Sequence, residues 1–590
     1  MATKFLTSFL SIAAVSLASV PQQLDPRADS KIQWGPCNQT IVNTTLPTEC
    51  ADFTVPLDYT TPSSKETIKL QIAKIKAKVQ PAKGTILINF GGPGSDGRTS
   101  LGKQGGLLQV LSGFEYDLAA FDPRGTGNTI PEVCYETTAA VKKFLAAEST
   151  WYDASNSTLE QMWKQATTNA ETCYAAHKKT QPFLGTGSVA RDLISVVDAL
   201  GEDGMLRYWG ELAPRPQSQV APNGLLTMLF ILGFSYGTTL GATVASMYPE
   251  RIDKVILDGV QNVHEYYHAP ADFEEWSDAD RVFSEVFLSC VKAGPTLCPM
   301  AGANLTGEQL EAAAWKIAER LKTNPIPVNG SSPLTYAGLR GFFANAIYGP
   351  NSWGNLATLL ALIAGNRTQT PAFNTVYEDM TTALLGTIST YPPLYGIHCG
   401  DRTVRIKSLD DFRPIQEKLS KVTKVMDGTD TDVSMTCGQW KSQAAGAYKG
   451  NFQAKTKNPI LFATNKYDGH TPIRSAQNVS SGFEGSGMLV VNGFGHTTLS
   501  QPSVCTIEHT AAYWHNRTLP AKGLVCDVDG APYSTYTWAN ATVAYIRKAN
   551  ESSSGGSGSP PPPRSAASQM GHSISMIVFV VGVAFAFMLQ

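Results

Sequence analysis

Gly233-Phe234-Ser235-Tyr236-Gly237 sets a serine between two glycines. At a sharp strand-to-helix turn this pattern exposes the serine hydroxyl at a helix N-terminus, where developing negative charge is stabilised. An apolar run (residues 229–232) precedes the pentapeptide, and a small-residue helical pattern, TTLGATVAS, follows it. A serine nucleophile needs a base to take its proton and a carboxylate to orient that base. Asp468 follows the apolar run ILFAT, and His496 follows the next apolar run and a Gly-rich turn. The chain order Ser235, Asp468, His496 suits a triad carried on an α/β sheet. Its chemistry is acyl transfer, with Ser235 as nucleophile, His496 as general acid and base, and Asp468 as orienter. No cofactor and no metal is required.

Such a site also needs two backbone N–H groups to hold the developing oxyanion. Tyr236, the residue after the nucleophile, supplies one. The loop Gly91-Gly92-Pro93-Gly94, after the run TILINF (residues 85–90), is the source of the other, through Gly91 or Gly92. Glycine lets that backbone approach a substrate with no Cβ in the way. A second motif competes. His264-Glu265-Tyr266-Tyr267-His268 matches H-E-x-x-H, whose histidines would share one helix face and bind zinc with the glutamate as base. Pro270 follows almost at once, and no third ligand can be assigned, so the segment reads better as the approach to an insertion.

The elements that must position these residues alternate. Apolar runs at 85–90, 116–121, 229–232, 255–257, 460–464 and 488–491 each end in a Gly-rich or acidic turn. Helical patterns at 189–200 and 239–248 lie between them. Buried strands alternating with helices predict an α/β fold, a mainly parallel sheet with helices on both faces and function at the carboxyl ends of the strands. Residues 266–452 break the rhythm: they are helix-rich and lack strand-to-turn units. The organisation expected is a signal peptide at 1–19, the first part of the α/β core at 20–265, a helical cap at 266–452, the rest of the core at 453–550, a Gly/Ser/Pro linker at 551–567 and a tail at 568–590.

Only 16% of residues are charged, against about 25% in an average soluble domain. The net charge of −2 argues against nucleic acid as a partner. Lys4, the short apolar run 5–17 and the small residues Ala18 and Ser19 form a signal-peptide pattern. In the secretory pathway the Asn-x-Ser/Thr sequons at Asn38, Asn43, Asn156, Asn304, Asn329, Asn366, Asn478, Asn516, Asn540 and Asn550 become glycan acceptors. The 10 cysteines fit that oxidising compartment, and pairing of neighbours in sequence is the simplest connectivity. At the other end, the small residues Ser565, Ala566 and Ala567, a polar spacer and the apolar run 576–589 form the pattern of a GPI-attachment signal, the only membrane association expected. A plain tail anchor is the alternative, although the run is short for a spanning helix.

As a set, NFGGPGSDG, DPRGTGN, GFSYGTTLGA, YPERIDKVILDGV, NKYDGHTP, GFGHTTL and the stretch from Cys505 to Cys526 resemble the tripeptidyl-aminopeptidase-like branch of the prolyl-aminopeptidase family. The resemblance covers roughly residues 35–545. It implies the α/β-hydrolase fold, the triad Ser235, Asp468 and His496, and exopeptidase action at a free N-terminus. Phe90 stands where the prolyl-aminopeptidase motif HGGPG begins with His, which removes the ground for strict proline specificity. An exopeptidase pocket must neutralise the substrate ammonium, and Glu265, Glu274 and Glu275, near the start of the cap, are the candidates. The partner is a peptide; a small acyl metabolite, in an esterase or tailoring hydrolase, is the alternative, and a non-catalytic surface protein is a third. Nothing in the sequence sets an oligomeric state.

One segment is out of keeping with this design. Residues 211–233 hold Pro214, Pro216 and Pro222 in a nearly uncharged stretch between Gly210 and the nucleophile. Their deletion gives LRYWGFSYGTTLGA, a short strand joined directly to an intact G-x-S-x-G. Either a retained intron or a true surface insertion accounts for them. In the second case residues 225–232 serve as the strand.

Overall fold

The computed structural model describes residues 31–210 and 236–554, apart from residues 138, 142, 145–151, 153 and 389. The signal-peptide pattern, the C-terminal tail, the run 229–232 and Ser235 lie outside the described residues.

A 10-stranded sheet runs through the protein in the order β1-β2-β3-β5-β4-β6-β7-β8-β9-β10. Its strands are β1 (Gly35–Pro36), β2 (Thr48–Pro56), β3 (Thr67–Ile75), β4 (Thr85–Asn89), β5 (Asp117–Phe121), β6 (Leu206–Gly210), β7 (Ile252–Asp258), β8 (Leu461–Tyr467), β9 (Gly487–Phe494) and β10 (Val525–Asp527). From β5 to β10 every pairing is parallel; β1, β2, β3 and β5 pair antiparallel. The parallel strands are short apolar runs because helices cover both faces. All of Thr85–Asn89 and all of Ile252–Asp258 are buried. β3 instead alternates, with Ile68, Leu70 and Ile72 buried and Thr67 and Lys69 exposed, as expected of an antiparallel strand nearer one edge.

The flanking helices include α1 (Gly97–Leu111), α2 (Asn156–His177), α3 (Thr186–Leu200) and α4 (Tyr236–Met247). α1 starts where Asp96 accepts a hydrogen bond from the Thr99 N–H, and α2 where Ser155 accepts from that of Thr158. Between β7 and β8 the chain leaves the sheet as α5 (Val263–His268), α6 (Ala279–Ala293), α7 (Gly307–Leu321), α8 (Tyr336–Ala346), α9 (Trp353–Ala364), α10 (Pro371–Ile388), α11 (Leu409–Val422) and α12 (Asp427–Gly438). These helices bury their own apolar cluster around Phe283, Phe287, Phe343 and Trp353. α2 packs with them although it comes before β6: Leu159, Met162 and Ala166 meet Phe412 and Met435. By packing, this stretch of the segment 20–265 belongs with the helical layer. After β8 come α13 (Ile473–Ser480), α14 (Val504–Asn516) and α15 (Trp538–Ser554).

The cysteines pair as neighbours in sequence: Cys37–Cys50, Cys134–Cys173, Cys290–Cys298, Cys399–Cys437 and Cys505–Cys526. Among the described residues no helix is long and apolar enough to cross a membrane.

Candidate active site

Asp468 and His496 come together as their positions after consecutive parallel strands require. Asp468 follows β8 and His496 follows β9, and both side chains are fully buried. Nδ1 of His496 lies 3.0 Å from each oxygen of Asp468. A carboxylate at that distance takes the Nδ1 proton, which leaves Nε2 as the basic nitrogen. The carboxylate is saturated. Oδ1 accepts from the N–H groups of His470 and Thr471, both at 2.9 Å. Oδ2 accepts from Thr471 Oγ1 at 2.9 Å and from the Thr497 N–H at 3.0 Å. With all these donors in place the carboxylate is held in one orientation.

The loop that carries His496 is pinned from both sides. Its N–H donates to the carbonyl of Tyr348 at 2.9 Å. Asn465 Nδ2 donates to the carbonyls of Gly495 and Thr497, at 2.9 and 2.6 Å. Asp258, at the end of β7, accepts from the Thr498 N–H at 2.9 Å and from Thr498 Oγ1 at 2.6 Å. Burial pushes the Asp258 carboxyl up to about 6. The sequence reading passed over Asp258, although its place at a strand's carboxyl end, in LDGV, was a signal for it.

Ser235 lies outside the described residues, but the frame around it is described. β6 fills the slot between β4 and β7, and α4 begins at Tyr236. Gly210, the last residue of β6, abuts the start of α4 so closely that a Cβ on it would stand 2.3 Å from the Gly237 carbonyl oxygen. The Tyr208 hydroxyl donates to that same oxygen at 2.7 Å. Thus Gly210 and Gly237 touch although residues 211–236 separate them in the chain.

Beside this turn lies the glycine loop after β4. Gly91, Gly92 and Gly94 have φ of 74°, 113° and 128°, conformations that a residue with a Cβ rarely adopts. The Gly91 N–H donates to Asn89 Oδ1 at 3.0 Å, so of the two glycines Gly92 is the one without that engagement. A Cβ on Gly94 would lie 3.0 Å from the Thr390 carbonyl oxygen, so the helical layer rests directly on this loop.

The acidic candidates divide. Glu275 is buried, and its Oε2 accepts from Gln261 Nε2 at 3.2 Å. Glu265 is half-buried and accepts from the Glu274 N–H at 2.7 Å; burial, aided by Asp272, pushes it up to about 8. Glu274 Oε1 is held by Asn262 Nδ2 at 3.0 Å and Ser475 Oγ at 2.9 Å. Two acids that sequence reasoning missed, Asp272 and Asp430, are buried among the groups acting on Glu275, and burial pushes Asp430 up to about 7. Arg402 Nη2 lies 2.5 Å from Asp272 Oδ2. The H-E-x-x-H segment forms α5, whose start is capped by Asn262 and which ends just before Pro270. His264 sets its ring edge-on to Phe452, the exposed His268 faces Thr403 Oγ1 at 3.4 Å, and Glu265 is engaged as described.

A mainly parallel sheet with an Asp–His pair after consecutive strands, and with the end of β6 packed against the start of α4 in its middle, defines an α/β-hydrolase, and the protein is a serine hydrolase. Residues 226–289 match the family model of the alpha/beta hydrolase fold, and residues 424–526 that of TAP-like proteins. The chain is 25% identical over 559 residues to serine protease Hip1 of Mycobacterium tuberculosis, covering 89% of this chain and 98% of that one. It is 24% identical over 528 residues to tripeptidyl aminopeptidase of Streptomyces lividans, covering 86% and 88%. Carboxylesterase B of Mycobacterium tuberculosis is 27% identical over 348 residues, covering 56% and 58%. In both its family-model match and these relatives the chain is similar to the tripeptidyl-aminopeptidase-like branch of the α/β-hydrolases.

Proposed function

We propose that this protein is a secreted serine exopeptidase that releases short peptides or single residues from free N-termini. Ser235 attacks the scissile carbonyl, His496 Nε2 takes its proton and returns it to the leaving amine, and Asp468 orients the imidazole and stabilises its charge. Tyr236 and the Gly91-Gly92 loop supply the oxyanion donors. The observation that carries this reading is the saturated Asp468–His496 pair after β8 and β9, with β7 alone between β8 and β6, the strand that leads towards the nucleophile.

The helical segment 266–452 acts as a cap, excluding water and long substrates. Glu265, Glu274 and Glu275 hold the substrate ammonium, with Asp272 and Asp430 adding to the negative field. Tripeptidyl aminopeptidase among the relatives favours a peptide substrate; the match to a carboxylesterase keeps an ester substrate as the second reading. Secretion and glycosylation fit the disulfides and the sequon asparagines, which are exposed apart from the half-buried Asn550. The tail 568–590 directs GPI attachment near Ser565.

Residues 211–233 are dispensable to this site. With them removed, Gly210 becomes the first glycine of the G-x-S-x-G turn, and its contact with Gly237 is the observation in favour. A tryptic peptide reading YWGFSYGTTLGATVASMYPER identifies the shorter protein; one containing PQSQVAPNGLL shows that the segment is translated.

The central test is Ser235→Ala. It should abolish hydrolysis with the fold intact, and a serine-directed phosphonate should inactivate the wild type. Equal rates on free and N-acetylated peptides would sink the exopeptidase reading in favour of an endopeptidase or esterase.

A further inference from the structure

Thr186 opens α3, a helix of the core, and the residue before it, Gly185, has no side chain to cap it. The cap comes from far along the chain. Both oxygens of Asp401 lie 3.1 Å from the Thr186 N–H. Oδ2 also takes the Thr186 hydroxyl in a short hydrogen bond and the Tyr266 hydroxyl at 3.1 Å. Asp401 is fully buried and belongs to the helical layer, two residues after Cys399 of the Cys399–Cys437 bridge. A Cβ on Gly185 would come within 2.7 Å of Asp401 Oδ1, so the glycine leaves room for this carboxylate.

The contact continues to the nucleophile turn. Thr186 Oγ1 lies 2.9 Å from the hydroxyl of Tyr236. A threonine hydroxyl has one proton, and the carboxylate takes it. The Tyr236 hydroxyl is then left to donate to Thr186 Oγ1. Tyr236 is itself buried, and the main chain just after it is held by Tyr208 through the Gly237 carbonyl. Two restraints therefore converge on the first turn of α4: one from β6 on the Gly237 carbonyl, the other from the helical layer on the Tyr236 side chain.

We propose that Asp401 is a positioning residue which, through Thr186 and the Tyr236 hydroxyl, fixes the main chain after the nucleophile, so that the helical layer sets the aim of the oxyanion hole. The proposal rests on the reading that the Tyr236 N–H is an oxyanion donor. Each side chain acts on the one behind it: the carboxylate orients the threonine hydroxyl, the threonine oxygen holds the tyrosine ring, and the ring holds its own Cα. Hydrolysis gains nothing from a rigid turn in the ground state unless the donor is aimed where the oxyanion forms, which is a transition-state effect.

The test compares Tyr236→Phe, Asp401→Asn and the double variant, with kcat expressed per site titrated by a fluorophosphonate. Tyr236→Phe removes one hydroxyl and leaves the α3 cap in place, so it keeps the question open to measurement if Asp401→Asn folds poorly. The expected result is a fall in kcat of about tenfold in each single variant, with KM changed less than about twofold. The double variant should be no slower than the slower single, because both break one chain of contacts. Binding of a boronic-acid analogue of the tetrahedral intermediate should weaken in parallel. If kcat per titrated site is unchanged in Tyr236→Phe, or the two effects multiply, the link is overturned. If kcat falls while boronate affinity holds, the Tyr236 amide is not the oxyanion donor, and the proposal falls with that assignment.

Discussion

Two buried clusters of charge, one around Asp468 and one around Glu275, are built on opposite rules. Around Asp468 every lone pair has a donor: two N–H groups on one oxygen, a hydroxyl and an N–H on the other, and the imidazole across both. Around Glu275 the account does not close. Asp272 Oδ1 and Glu275 Oε1 are buried with no hydrogen-bond partner among the described residues. Arg402 is bonded to Asp272, whereas Glu265, Glu275 and Asp430 are all pushed upward by burial and by Asp272. A saturated carboxylate holds a fixed geometry; an undersupplied group of carboxylates is poised to accept a cation. The first arrangement suits a part that must not move during the reaction, the second a part that the substrate completes.

The comparison breaks most visibly at Asp468. Asp468→Asn keeps the shape but lets the imidazole turn to the wrong tautomer, and kcat should fall by about 10³–10⁴. Thermal unfolding should still show a cooperative transition. A loss below tenfold would mean that the saturated cluster is scaffolding alone.

Next in size is Gly210→Ala. Its new methyl would meet the Gly237 carbonyl oxygen at 2.3 Å, so the turn must shift. Activity should drop at least about a hundredfold, since a misplacement on the order of 1 Å has that effect. A larger loss from Gly233→Ala than from Gly210→Ala would transfer the turn to Gly233 and make the segment 211–233 part of the working enzyme.

Glu275→Gln tests the undersupplied cluster. It should raise KM for peptides with a free N-terminus by roughly 10- to 100-fold, the loss expected of one charged hydrogen bond. Rates on N-acetylated peptides should hardly change. An equal effect on both substrates would separate the cluster from amine recognition.

The smallest effect concerns a third carboxyl, Glu132, away from both clusters. It is buried, accepts from Gln181 Nε2 at 2.6 Å, and burial pushes it up to about 8. Its folded form holds a proton that the unfolded chain, near 4.5, gives up first. Stability attributable to this group therefore falls as pH rises from about 4.5 to about 8 and is flat above that. Glu132→Gln should match the wild type near pH 4.5 and exceed it by about 1–3 kcal/mol near pH 8 in denaturant unfolding. No divergence across that window would show that undersatisfied burial is tolerated here without cost.

What was legible in the sequence follows the range of the interactions. β4, β5, β7, β8 and β9 are apolar runs ending in turns, a signal contained within a few residues. The β2–β3 hairpin escaped because Lys69 and Lys74 interrupt its pattern, and β6, with Arg207 and no β-branched residue, was legible only as the short strand left when residues 211–233 are removed. In the candidate site, Asp468 and His496 were legible from their places after strands. Asp258, Asp401 and Asp430 were not, because each draws its meaning from a partner remote in the chain, as Asp401 does from Thr186. No periodicity records such a meeting. Residue types alone also made H-E-x-x-H prominent, whereas the fold uses its glutamate on the neighbouring Glu274 amide.

The disulfides carry a consequence for biosynthesis. The widest separation between partners is 39 residues, at Cys134–Cys173, and no bridge joins a strand of the sheet to the segment between β7 and β8. In the secretory route proposed above, each bond can therefore close soon after its second cysteine emerges, in the order of translation, with no need to wait for later chain. Sheet and helical layer are stapled separately and meet through non-covalent contacts such as Asp401 on Thr186. In evolution, the helical segment is accordingly exchangeable as a cassette: a new one could reshape the pocket without stranding a cysteine in the sheet.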